Sequence, residues 1–105
     1  MADIRSTLVA AVAGTGSSAN LVASSAGKAI RIWQLLVSGT TTDTASIVFT
    51  QAGTATTIKV AVTNGTATLP YTGAPWAVAD VGTGITFTAA STTTVSAYYT
   101  IGIGG

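Results

Sequence analysis

Along most of this chain apolar and hydroxyl-bearing residues alternate one for one, the period at which successive side chains of a strand point to opposite faces. Ala45, Ile47 and Phe49 alternate with Ser46, Val48 and Thr50, and Ile58, Val60 and Val62 with Thr57, Lys59, Ala61 and Thr63. Ile85, Phe87 and Ala89 alternate with Thr86, Thr88 and Ala90; Val95, Ala97, Tyr99, Ile101 and Ile103 alternate with Ser96, Tyr98, Thr100 and Gly102. One stretch departs from this rule. From Lys28 to Val37, Ile30, Ile32 and Leu36 occupy one phase, broken by Gln34, while Trp33, Leu35 and Val37 follow Ala29 and Arg31 in the other. A strand that is apolar in both phases must be covered on both faces. This predicts the domain's own core on one side of the stretch and a neighbouring element or a second copy on the other.

The remaining elements follow from the breakers. Ile4 to Val12 reads as an extended arm or first strand, with a helix as the alternative because the stretch is rich in alanine. Gly14 to Ser18 ends it, and Asn20 to Ser24 forms a short strand. Gln51 to Thr54 turns the chain. Asn64-Gly65 is the strongest hairpin signal, since both residues tolerate the positive φ of a type I′ turn, and its return strand is Thr66 to Tyr71. Thr72 to Gly84 is an irregular crossing in which Pro75 argues against a central strand. About eight strands with turn signals at roughly 8 to 12 residue spacing make the fold all-β, a sandwich or barrel, of which a single antiparallel β-sandwich is the expectation, with 1–18 as an N-terminal arm or first strand and 19–105 as the sandwich. The threonine runs 40–42 and 92–94 have no fixed repeat length, which disfavours a solenoid or ice-binding array.

Charge changes the picture. Only 7% of the 105 residues are charged, against about 25% in an average soluble domain, so the exterior must be Thr, Ser, Gly and Ala or must be hidden in contacts. A net charge of +1 supplies no basic field for nucleic acid, and the deficit predicts a homo-oligomer embedded in a larger assembly. No run approaches the roughly 20 apolar residues of a membrane span. Ala11-Val12-Ala13 has the form of a signal-peptidase site, but the apolar run before it is short and Asp3 weakens a basic leader, so secretion is not expected.

Chemistry is sparse. Without cysteine or histidine the chain offers no disulfide, no thiolate or imidazole metal ligand and none of the common nucleophile relays, and no cofactor is expected. Asp3, Asp43 and Asp80 stand apart in loops or near strand ends, where a solvated turn residue is the ordinary reading. Asp80 is the one of interest, since it lies near Trp76. Gly14-Thr15-Gly16-Ser17-Ser18-Ala19 fits a dinucleotide fingerprint, yet no helical pattern follows it. Ser25-Ala26-Gly27-Lys28 has the Ser-x-x-Lys spacing of penicillin-recognising enzymes without their companion motifs, and Asn64-Gly65-Thr66 is a formal glycosylation sequon better explained as a turn. The aromatic residues Trp33, Tyr71, Trp76, Tyr98 and Tyr99 admit three readings: a carbohydrate-stacking face, anchors of a subunit interface, or core filling. The interface candidates are Arg31, Trp33, Leu35, Val37, Tyr71, Trp76 and Tyr98.

In order, Lys28-Ala-Ile-Arg-Ile-Trp33, Leu69-Pro70-Tyr71, Gly73-Ala-Pro-Trp76, Gly84-Ile85-Thr86-Phe87 and Val95 to Tyr99 resemble the small β-sandwich virion proteins of tailed bacteriophages, capsid decoration (cement) proteins and fibre domains among them. The likeness runs from about Leu21 to the C-terminus and leaves Met1 to Ser18 outside it. The resemblance implies a jelly-roll-like fold, a homotrimer, no enzymatic activity and a place on the capsid surface of a virion assembled in the host cytoplasm. It implies the major capsid protein or other virion proteins as partners, with neither nucleic acid nor membrane. The competing expectation is a receptor- or glycan-binding module of a tail or fibre.

Overall fold

The computed structural model describes residues 8–103, which form two antiparallel sheets packed face to face. In chain order the strands are β1 (Leu8–Ala13), β2 (Ser18–Val22), β3 (Lys28–Gly39), β4 (Asp43–Gln51), β5 (Thr54–Val62), β6 (Gly65–Leu69), β7 (Ala77–Val78), β8 (Ile85–Thr88) and β9 (Thr93–Ile103). The first sheet runs β1-β9-β3-β6, with β7 also paired to β3, and the second runs β2-β8-β4-β5. Strand β1 therefore pairs with β9, β2 with β8, β3 with β6 and β4 with β5. Such nesting is one long antiparallel hairpin rolled into two sheets, the connectivity of a jelly roll. The all-β sandwich expected from the alternation is the observed fold. Residues 8–13 make a full strand of the first sheet, while Asp3 and the rest of 1–7 lie outside the described residues.

The core lies between the sheets. It is built from Ile30, Ile32, Leu35, Val37, Val95 and Ala97 on one side and Leu21, Val22, Ala45, Ile47, Phe49, Val60, Ile85 and Phe87 on the other. The opposite phase of the second sheet carries Ser18, Asn20, Thr44, Ser46, Thr50, Thr57, Thr86 and Thr88. Hydroxyl and amide groups thus coat most of that outer face, which also carries Val48, Ala55, Ala61 and, as its one charge among the described residues, Lys59.

Strand β3 corrects the expectation of a two-faced strand. Ile32 stands opposite Tyr99 and Gln34 opposite Tyr98, so Trp33 is one extra residue, a β-bulge against β9. An inserted residue moves every later side chain to the other face. Ile30 and Ile32 point into the core before the bulge, Leu35 and Val37 after it, and all four are fully enclosed. Ile30, Ile32, Leu35 and Val37 therefore serve one core although they span both phases, while Trp33 is buried outside it. Leu35 and Val37 have no surface to give an interface, and they are withdrawn as interface residues.

The turns bring a second correction. Asn64 takes a positive φ of 44°, but Gly65 does not and already pairs with Gly39 in β6. Asn64-Gly65 consequently carries the chain from the second sheet to the first, and β5 and β6 are not hairpin partners. The two-residue hairpin forms instead at Ala52-Gly53, with φ of 52° and 77° between the paired residues Gln51 and Thr54. Gly14 makes the crossing from β1 to β2. Its N–H donates to Thr93 O (2.8 Å), and a Cβ there would lie 2.3 Å from the Ala90 carbonyl oxygen and 2.4 Å from that of Ala89. The glycine is required by this close backbone approach, and a strand rather than a helix follows it, so the fingerprint-like run is a turn.

Candidate functional site

The bulge at Trp33 organises the outer face of the first sheet. Strands β6 and β7 lie on one edge of β3, collinear and separated by residues 70–76, because β9 occupies the other edge. With Trp33 surplus on β3, the partner chain leaves the ladder after Leu69 and regains it at Ala77. Backbone bonds stitch its return: Trp76 N–H to Ile32 O (2.8 Å), Ala79 N–H to Ile30 O (2.9 Å) and Gly82 N–H to Lys28 O (2.9 Å).

Trp33 is buried although it does not belong to the inter-sheet core. Its indole Nε1–H donates to Thr100 Oγ1 (2.9 Å), and its ring meets that of Tyr71 at 5.9 Å between centroids, tilted by 45°. The excursion 70–76 is thus roofed onto Trp33. Trp76 closes the excursion on itself, donating its Nε1–H to Pro70 O (2.7 Å). Tyr71 and Trp76 remain 41% and 37% exposed. With the Trp76 indole N–H bonded, the Tyr71 ring packed on Trp33 and the loop braced by Trp76 N–H to Ile32 O, these rings lose little freedom on binding, which is the character of anchor residues at protein interfaces.

Of the residues expected at a site, Trp33, Tyr71 and Trp76 are brought together. Tyr98 is half-buried on the same outer face, in register with Gln34 on one side and Val9 on the other. Arg31 lies in register between Thr100 and Val78, just past the end of the excursion. Tyr99 packs against the core.

The described carboxylates serve the fold. Asp80 reaches the Ala52-Gly53 turn, where Oδ1 accepts from Ala52 N–H (2.9 Å) and Oδ2 from Gly53 N–H (2.8 Å), while its own N–H donates to Thr50 O (2.7 Å). That clip holds the positive-φ hairpin against the crossing, and it is turned to backbone rather than to Trp76. Asp43 Oδ2 accepts from Ala90 N–H (3.0 Å) and from the fully buried Thr93 Oγ1 (2.9 Å). The Ala90 amide and then the Thr93 hydroxyl hold its carboxyl below the usual carboxylate range, against the opposing effect of desolvation. Among the described residues no group of three or more His, Cys, Asp or Glu gathers as metal ligands would. An open concavity at the Asn64 end of the sandwich is lined by Ser38, Thr40, Thr66, Thr92 and Thr94.

Sequence reasoning missed two exposed residues on β1, Leu8 and Val9, which it had placed only within an arm or first strand. Comparison of the chain with family models, with curated proteins and with solved structures finds no match in any of the three.

Proposed function

We propose that this protein is a non-enzymatic structural subunit of a phage virion, a decoration protein that stabilises the head by docking across joints between capsid subunits. The observation that carries the reading is the braced aromatic excursion: Tyr71 and Trp76, both partly exposed, Tyr71 packed on the bulged Trp33 and Trp76 bonded to Pro70 O and Ile32 O. Two partly exposed rings on a braced loop, on a sandwich with few charges, fit a seat on another protein. The jelly-roll order supports the reading only by analogy, since this architecture occurs in viral capsid and lectin domains alike. Docking couples the stability of both partners through mass action.

The glycan-binding alternative draws on the same rings, because exposed aromatic faces beside hydroxyls also suit sugar stacking. An electron-microscopy map of the virion that carries this chain separates the two. Density for the sandwich on the head lattice, with 70–76 against the capsid protein, is the expected result. Density only at a tail or fibre tip, with glycan-array binding lost in Trp76→Ala, would replace the head assignment with the alternative.

A further inference from the structure

We propose that the free edge of β1 is a self-pairing edge, occupied by β1 of a second copy of this chain running antiparallel about a two-fold axis through Ala11. The sandwich has four edges, and three carry devices that block strand addition. Strand β5 places Lys59 on its exposed side, β2 is broken by a register shift between Asn20 and Val22, and the β6/β7 edge is interrupted by 70–76 with Pro70 and Pro75. Strand β1 has none of these. Leu-Val-Ala-Ala-Val-Ala keeps unbroken register with β9 from Leu8↔Tyr99 to Ala13↔Thr94, and no described strand pairs with its other side. It leaves Leu8 49% and Val9 59% exposed.

Charge points to the occupant. The charged residues among those described are Lys28, Arg31, Asp43, Lys59 and Asp80, on β3, β4, β5 and the crossing, with none on β1, β2, β8 or β9. Two such walls meet without ionic repulsion, and an ionic partner would find no counter-charge there. The hydrogen-bond phase sets the register. Gly14 N–H donates inward to Thr93 O, so by alternation Val12, Ala10 and Leu8 bond to β9, while the N–H and C=O groups of Val9, Ala11 and Ala13 face the free edge. Directly opposed residues share a face of the sheet. A two-fold axis through Ala11 sets Ala11 against Ala11 and Val9 against Ala13, satisfying all of these groups with small side chains.

The contact is small. A six-residue strand spans about 20 Å, and the thinnest dimension of the molecule is 18 Å, so the wall falls well short of the roughly 800 Å² per partner of a standard interface. The dimer is therefore concentration-dependent, and it fills where copies are held close together. That last step rests on the assembly reading above; the pairing does not. It also differs from the three-fold assembly that the resemblance implies.

Sedimentation velocity from micromolar to millimolar concentration tests the pairing, using wild type, Ala11→Lys, Ala11→Glu and Lys59→Arg. Wild type and Lys59→Arg, which keeps the charge at the β5 edge, are expected to dimerise alike, whereas either charged variant of Ala11 alone associates at least about tenfold more weakly, because like charges stand directly opposed. Mixing the two charged variants is expected to restore a dimer at low salt that dissolves at high salt. Circular dichroism reports whether the variants fold. Should they not, amide exchange on wild type decides, with Val9, Ala11 and Ala13 gaining protection as concentration rises. A wild type monomeric at millimolar concentration, or a dimer that persists in Ala11→Lys, overturns the proposal. If that monomer still docks on heads through Tyr71 and Trp76, the assembly reading survives; a dimer that ignores heads leaves the opposite outcome.

Discussion

Replacing Trp33 by alanine probes the link between the bulge and the exposed rings. A tryptophan buries about 150 to 250 Å², worth roughly 4 to 6 kcal/mol at about 25 cal/mol per Å², and this is an upper estimate because denatured chains already bury part of it. The indole here is 6% exposed, so nearly the whole area counts. Its roof is a loop that can settle into the space, which places the expected loss at about 3 to 5 kcal/mol, within the range for buried aromatic truncations. Trp33→Phe keeps a ring against Tyr71 and forfeits the bond to Thr100, for a loss of about 1 to 2 kcal/mol. Urea unfolding followed by circular dichroism measures both, and limited proteolysis reports on 70–76. The expectation is cleavage within 70–76 in Trp33→Ala under conditions where wild type and Trp33→Phe resist. A loss below about 1 kcal/mol with the excursion still protected would refute the idea that Trp33 braces it.

Three further outcomes follow from the same geometry. Gly14→Ala drives a methyl into the Ala89 and Ala90 carbonyls and is expected to cost about 1 to 3 kcal/mol or more, read as a lowered thermal midpoint. Asp80→Ala removes both acceptors from the Ala52-Gly53 turn; because those amides reach water the expected loss is about 1 to 2 kcal/mol, and Ala52→Gly in the same background should recover part of it by relieving the positive φ. Asp43 has a folded-state pKa below its unfolded value, so its stabilising effect is complete above the unfolded pKa and disappears as pH falls through the folded one. Asp43→Ala should accordingly be less stable than wild type at neutral pH, with the gap narrowing in acid as measured by urea midpoints across a pH series; a gap independent of pH would contradict the role given to its charge.

Strands β4, β5, β8 and β9 were legible because each has one wet face, so their alternation states both the element and its buried side. The bulge in β3 was not. A strand apolar in both phases and a strand whose phase slips at Trp33 have the same local pattern, and only the pairing with β9, some 65 residues away in the chain, distinguishes them. Asn64-Gly65 misled for a similar reason: an Asn-Gly pair permits a tight hairpin, but the partners of β5 and β6 lie in different sheets. Ala52-Gly53 lacks the favoured asparagine, and the turn is held by Asp80 from a segment that is distant in the chain. Trp33, Tyr71 and Trp76 could be named as interface candidates from sequence, with core filling left open for Trp33, whereas their assembly at one braced excursion depends on the bulge that sequence did not disclose.

The most direct test of the docking account is a binding isotherm on phage heads stripped of this protein, comparing wild type with Tyr71→Ala, Trp76→Ala and the double variant, each confirmed as folded. The account predicts saturable binding by wild type, weakened about tenfold or more by each single change and abolished by the double. Undiminished binding by the folded double variant would contradict it.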